Sequence, residues 1–507
     1  MKPDTQYKNK CFLCIILLYG LIIIAWNLNY SSASHDEALN ILMGRYVLQE
    51  YTDPHIINVK LPNEMEIGIE QDRIPQHTGS VMIQPVFAAL GDYVGGLPGA
   101  RSVGIFFGLG LTVIIYKIAS MLFSKNNGLI AAILLLSSGT LVYLSKLATY
   151  DIVSVFFLGL SFLLILISEK HPSFSRSGIW LLLGATSLFL SAVTKYVAAI
   201  YILPFLIYVF WRHKFLSALL FFLVPLTFYI FIYVKLALIP AWGHLAGSTT
   251  GLYKEGKTVI SVLIERLYQW LALPYILAGF GIFNKNFKRS SVISLIILSA
   301  PIVLLHLLSG DGRSLNKNVI YSIIFLIPAA AIGVDKMASI FSMNTHSTWV
   351  KPFFMSAVLI IVWVFGIQEL RWLERQFPNL SPVIRFLVTE GFSGMTVVID
   401  SKYGDPQYMY YYSIEDVYPK ARFTSMSRLD NKEQEDLLTR EKPDFLILDE
   451  FYGGKYLSYA ALQLVRQGYA SVGNFDLPLS WGIQKVRIFK QREPVPVSKS
   501  PELKKEE

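Results

Sequence analysis

The chain has 507 residues, of which 53% are hydrophobic and only 16% charged, and a formal net charge of +9. Soluble domains carry roughly a quarter of charged residues, so this composition excludes an ordinary soluble enzyme and points to a membrane protein. Lys and Arg gathered in short cytoplasmic loops account for the positive charge, and no nucleic-acid partner is needed to explain it. The only cysteines, Cys11 and Cys14, lie in the first apolar run and indicate neither a disulfide framework nor a metal site.

That first run, 11–29, follows Lys8 and Lys10 in the manner of a signal peptide, but Ser31–Ser34 only weakly imitates a cleavage site, so it reads as a retained helix. Directly after it comes SHDEALNILMGRY (Ser34–Tyr46). Ser34-x-x-Glu37 has capping-box spacing, and Ala38, Leu39, Ile41, Leu42 and Tyr46 recur at roughly helical spacing, so a helix lying in the membrane interface is predicted. Asp36 and Glu37 have two readings: a carboxylate pair that takes a proton from a hydroxyl, or acids that favour a helix N-terminus because of its dipole. The loop from His35 to Pro98 is acid-rich, with nine Asp/Glu against three Lys/Arg. Its Asp53, Glu64, Glu66, Glu70, Asp72 and His77 could hold a divalent cation, but their spacing matches no established cage; the reading taken is a solvated acidic loop. No cofactor is otherwise called for.

Ten further apolar runs near the roughly 20-residue spanning length fall at 100–123, 128–144, 152–168, 178–193, 196–211, 215–237, 268–283, 291–308, 318–334 and 352–369, giving eleven expected spans. With Lys2, Lys8 and Lys10 at a cytoplasmic N-terminus, alternation puts the short basic loops at Lys125, Lys170, Arg212, Lys285 and Lys336 on the same side. It also puts Asp36, Asp151, Lys195, Arg266, Arg313 and Lys317 at the outer face. Several of these stand among apolar residues, where an ionisable group is costly and usually functional. Asp151 interrupts KLATYDIVSVFF and Lys195 interrupts SAVTKYVAAI, as in broken helices that line a polar cavity. Each also has a plain explanation: Asp151 as a helix cap, Lys195 snorkelling to headgroups, Arg313 and Lys317 holding lipid phosphate. Together, two acids and four bases on one side describe a site for an anion and a reacting hydroxyl.

The Gly- and Thr-rich segment 239–264 reads as an external loop without a phosphate-cradling motif. From about Trp372 the composition becomes that of a soluble domain. Gly394–Asp400 and Asp444–Glu450 read as buried strands, 431–441 and 456–467 as helices, and 470–490 as a closing hairpin. The expected organisation is a membrane domain over 1–370 with its large outer loop at 31–98, an extracytoplasmic α/β domain over 371–493, and a disordered tail over 494–507. YMYYYS (Tyr408–Ser413) reads as a packed aromatic face in preference to a sugar-stacking one.

Taken in order, several stretches resemble the GT-C class of integral-membrane glycosyltransferases, within it the protein O-mannosyltransferases and lipid A aminoarabinose transferases. They are HDEA (His35–Ala38), Ala100–Phe123, Gly128–Phe157, VTKYVAAIYILP (Val193–Pro204) and Ser314–Gly333, spread over most of 11–335. The resemblance implies a donor sugar on a polyprenyl-phosphate carrier and a protein, lipid or glycan acceptor. It implies Asp36 as the catalytic carboxylate with Glu37 supporting it, and it matches Asp151, Lys195, Arg266 and Lys317 to family positions, Lys195 near the carrier phosphate. Where relatives have a Lys-Pro-Pro or His-Pro-Pro turn, this chain has PQHTGSVMIQP, so His77 or Arg73 would substitute.

A sugar phosphate already has a good leaving group, so the expected chemistry is proton removal from the acceptor by Asp36 and neutralisation of the phosphate by Lys195, Arg266, Arg313 and Lys317. Single-step attack would invert the anomeric centre. The rival is a transporter or flippase of an anionic lipid, though the internal repeat common in transporters is not seen; a lipid-anchored binding protein would not need so many spans. The expected location is a plasma membrane, crossed many times, with the C-terminal domain outside.

Overall fold

The computed structural model describes residues 3–52, 83–171, 174–213, 260–310, 314–343, 349–390, 396–400, 422–425, 442–449, 468–479 and 482–491, with isolated positions between them. The chain divides into two units. One comprises Met1–Tyr30, Asn40–Pro54 and Gln71–Glu374, and the other Ser31–Leu39, His55–Glu70 and Arg375–Glu507.

The first unit is helical. Its elements are α1 (Pro3–Ala25), α2 (His35–Thr52, which begins in the other unit), α3 (Ile83–Leu122), α4 (Lys125–Leu136), α5 (Gly139–Ser145), α6 (Asp151–Ser168) and α7 (Phe174–Thr194). A 3-10 helix (Tyr196–Tyr201) leads into α8 (Ile202–Arg212). Then come α9 (Ile260–Ile282), α10 (Arg289–Ser309), α11 (Leu315–Asn318), α12 (Ile320–Met343) and α13 (Val350–Glu374). Six described helices are long and apolar enough to cross a membrane, or seven if the bent pair α4–α5 is one span. The eleven runs of the sequence reduce to this number for local reasons. The helices at 9–25 and 196–212 are shorter, most of 215–237 lies outside the described residues, and α9, over the run at 268–283, carries Glu265, Arg266 and Gln269 and is not among the six. The run expected at 100–123 begins earlier, at Ile83, and kinks at Gly95–Gly96, where Gly96 takes a φ of 60° that a side chain would resist.

The run at 128–144 is not straight either. It bends by 68° between α4 and α5. The N-terminus of α5 is capped from far along the chain: the Glu369 carboxylate of α13 accepts from Gly139 N at 2.9 Å and from the Thr140 hydroxyl. A carboxylate there satisfies donors that a helix start leaves open. Gly139 and Gly366 let the two backbones meet, since a Cβ on either would overlap the other helix. Just beyond α5, Lys146 pairs with Glu374 at 2.9 Å and lies over the Tyr30 ring. Fully buried Arg101 donates to the Leu28 carbonyl and stacks on the same ring. These braces fix the segment that delivers Asp151 to the start of α6.

The second unit holds a five-stranded sheet in the order β2-β1-β3-β5-β4. Its strands are β1 (Thr396–Asp400), β2 (Arg422–Ser425), β3 (Phe445–Asp449), β4 (Tyr469–Leu479) and β5 (Gly482–Gln491). The first three pair in parallel, and the β4–β5 hairpin closes the sheet antiparallel against β3. Val397, Ile399, Phe445, Leu446, Ile447 and Leu448 are fully buried, as the continuous apolar runs of a covered sheet require. Helix α14 (Ser381–Glu390) packs Phe386 edge-on against Phe475 of β4. The expected aromatic face 408–413, the helix 456–467 and the tail 494–507 lie almost wholly outside the described residues.

Candidate functional site

Four helix ends meet in the first unit: the start of α6, the break after α7, the end of α10, and α11 before α12. Each brings a polar side chain. Asp151 opens α6, and Lys195 sits in extended backbone (φ −146°, ψ 116°) between α7 and the 3-10 helix. His306 lies one turn from the end of α10, which Gly310 closes in the left-handed conformation. Asn318 ends α11. The Lys195 ammonium pairs with the Asp151 carboxylate and donates to Asn318 Oδ1 at 2.7 Å. The Asn318 amide contacts His306 Nε2 at 3.1 Å. The Tyr150 ring stands 5.8 Å from the ammonium. All four polar residues are buried, Lys195 to 7% exposure and Asp151 and Asn318 to 2%.

One turn deeper, a neutral tier repeats the arrangement. The Tyr321 hydroxyl donates to Ser154 Oγ at 2.7 Å, Ser154 bonds the Ser191 carbonyl at 2.9 Å, and Ser191 bonds the Ser154 carbonyl at 2.7 Å. Ser154 and Tyr321 lie three residues after Asp151 and Asn318, and Ser191 lies four before Lys195, so the same three segments of chain are tied twice. An ion pair this buried is stable only when its remaining donors and acceptors are met. The opposite end of α6 carries a different cluster, shared with the end of α8. There Glu169 accepts from Arg212 at 2.5 Å and from the Tyr208 hydroxyl at 3.0 Å, and Ser168 meets His213.

Arg266 on α9 donates to the Gly312 carbonyl at 3.1 Å, next to residue 313. Lys317 is half-buried beside Asn318 on α11. Arg313 and His77 lie outside the described residues. Among the described residues no group of three or more His, Cys, Asp or Glu could hold a metal ion.

Asp36 and Glu37 stand in the second unit at the start of α2. The capping box forms: Glu37 Oε2 accepts from Ser34 N at 3.0 Å, and Glu37 N donates to Ser34 Oγ at 3.4 Å. Glu37 is fully buried, whereas Asp36 is half-exposed. The same start is tied to the turn before α14 by Leu380 N donating to Ser32 Oγ at 3.0 Å and Ser32 N donating to Asn379 Oδ1 at 3.1 Å. The two acids therefore have different work, one oxygen of Glu37 going to the cap. Asn318 and His306 were missed from sequence, being neutral polar residues near helix ends whose partners lie far along the chain.

Residues 91–251 match the family described as dolichyl-phosphate-mannose-protein mannosyltransferase. No curated protein sequence matches the chain. Among solved structures it is similar to ArnT from Cupriavidus metallidurans bound to undecaprenyl phosphate, with a TM-score of 0.58 and 12% identity over 94% of this chain and 97% of that one. It is similar to the Archaeoglobus fulgidus oligosaccharyltransferase, with a TM-score of 0.56 and 12% identity over 92% of this chain and 71% of that one. It is also similar to the mycobacterial arabinofuranosyltransferase AftD, with a TM-score of 0.51 and 11% identity over 96% of this chain and 42% of that one. The chain is thus a multi-pass helical membrane protein with the GT-C fold of these glycosyltransferases, similar over residues 91–251 to the dolichyl-phosphate-mannose-protein mannosyltransferases.

Proposed function

We propose that this protein is a glycosyltransferase that moves a sugar from a polyprenyl-phosphate carrier to an acceptor hydroxyl at the outer face of the membrane. The observation that carries the reading is Lys195: a buried ammonium, held where four helix ends converge, with two of its three N–H donors used by Asp151 and Asn318. Among the described residues the third donor has no partner, and it is assigned to an anion. In a site with little water, such a contact is far stronger than at a surface. The similar ArnT structure holds undecaprenyl phosphate, a ligand of the required chemistry.

In this reading the acceptor oxygen attacks the anomeric carbon while the bond from that carbon to the phosphate oxygen breaks. The bonding pair leaves on the phosphate, as polyprenyl phosphate. The hydroxyl proton passes to the carboxylate of Asp36, and attack opposite the leaving group inverts the anomeric centre. Glu37, engaged in the cap, sets the helix start that presents Asp36. Lys195 balances the charge developing on the phosphate; Asp151 is its counter-ion, and Arg266 and Lys317 add positive potential, the role the sequence also gives Arg313. The basic loops put the N-terminus in the cytoplasm of a cell whose plasma membrane holds the protein.

The test is a proteoliposome assay with a polyprenyl-phosphate sugar labelled in the sugar. The expected result is a new covalent product on an acceptor, abolished by Asp36→Asn while undecaprenyl phosphate still binds. Turnover retained by Asp36→Asn would remove the assigned base. Label that crosses the bilayer with no new product would make the protein a transporter.

A further inference from the structure

We propose that Asn318, oriented by His306, is a positioning residue that holds the Lys195 ammonium for the carrier phosphate without neutralising it; this rests on the phosphate-binding reading of Lys195. A primary amide presents an acceptor on one side and donors on the other, and the environment decides which way it turns. Here Asn318 Nδ2 can only donate, so His306 Nε2, 3.1 Å away, must accept, with the imidazole neutral and its proton on Nδ1. That contact turns Asn318 Oδ1 toward Lys195 Nζ, 2.7 Å away. The ammonium, a pure donor, selects the amide oxygen, and the imidazole holds the same orientation from the other side.

The charge of the anchor matters as much as its position. Asp151 and Lys195 cancel, and Asn318 and neutral His306 add nothing, so the cluster is electrically neutral before the carrier arrives. An aspartate at position 318 would keep an acceptor for Lys195 and leave a net negative charge facing an incoming phosphate. An asparagine provides the hydrogen bond alone. Burial makes this distinction large, because Asn318 and His306 are only 2% and 4% exposed.

The experiment measures binding of undecaprenyl phosphate to the purified full-length protein in nanodiscs, alongside its thermal midpoint, for five variants. Asn318→Leu is expected to weaken binding about tenfold, the loss of one charge-assisted contact, and Asn318→Asp to weaken it by as much through the like charge it sets against the phosphate. Asn318→Asp also brings an uncompensated charge into a buried cluster and should lower the thermal midpoint as well, so the readout that a merely structural role would not move is the rescue at His306. His306→Phe should weaken binding, and His306→Gln, whose amide oxygen accepts the same hydrogen bond, should recover most of the loss. Lys195→Met distinguishes phosphate binding from positioning. If it binds as tightly as the wild type, the phosphate-binding reading itself falls. If it loses binding while Asn318→Asp keeps wild-type affinity, only the positioning role is overturned.

Discussion

The pairing of Asp151 with Lys195 is a bond between two groups that each need the other. Removing one member of a buried pair leaves an uncompensated charge and costs about 3–5 kcal/mol, whereas replacing both with apolar residues is often neutral. Asp151→Leu and Lys195→Met should therefore each lower the thermal midpoint markedly, and the double variant should recover most of the loss, as a double-mutant cycle in detergent would read. Two singles that add to the double would contradict the pairing. At this scale the sequence was informative about charges and silent about neutral partners. Asp151 and Lys195 stood out because ionisable residues interrupting apolar runs are expensive. Asn318 lay in SLNKN beside the more conspicuous Lys317, and its partner Lys195 is 123 positions away. Glu37 shows the reverse: capping-box spacing identified its structural work, and the bond to Ser34 is there.

Among elements, the bend between α4 and α5 decides where Asp151 stands. A run of apolar residues with Ser137-Ser138-Gly139 inside it reads as one span, because the cap that starts α5 comes from Glu369, 230 positions on. Glu369→Ala should cost about 1–2 kcal/mol, the range of a lost helix cap, and should lower transfer activity by loosening the segment that leads into α6; an unchanged midpoint would show that the cap is dispensable. The sheet was more legible. Strands β1 and β3 fell inside the two apolar runs, and β4–β5 matched the expected hairpin, because strands buried on a covered sheet leave continuous Val, Ile, Leu and Phe. One residue there ties stability to pH. Tyr469 donates to the Pro443 carbonyl at 2.7 Å, and burial, with the Asp444 charge adding to it, pushes its phenol up to about 12. The folded state thus favours the protonated phenol. Its contribution is fully present below the unfolded value of about 10 and is lost as pH rises from there through about 12. Pulse proteolysis of the full chain should show the second unit weakening across that window, and Tyr469→Phe should flatten the loss while costing about 1 kcal/mol at neutral pH.

In the whole molecule the two ends of α6 carry opposite kinds of chemistry. One end gathers Asp151, Lys195, Asn318 and His306; the other gathers Glu169, Arg212, Tyr208 and His213. The alternation of basic loops predicted which end is outside, and only the first has a buried ammonium with a donor to spare among these residues. Arg212 at the other end is partly exposed and paired with Glu169, the usual state of a basic residue where a helix leaves the bilayer. Labelling of a cysteine introduced at Lys490, in intact cells lacking other accessible thiols, should succeed with a membrane-impermeant reagent; protection there would reverse the assigned orientation. The most direct measurement is a structure of the full-length protein in nanodiscs with undecaprenyl phosphate bound. The expected result is a phosphate oxygen within about 3 Å of Lys195 Nζ, with Asn318 still holding the ammonium. A phosphate seated at the Arg212 end, with Lys195 locked to Asp151 and out of reach, would contradict the assignment of donor site and mechanism together.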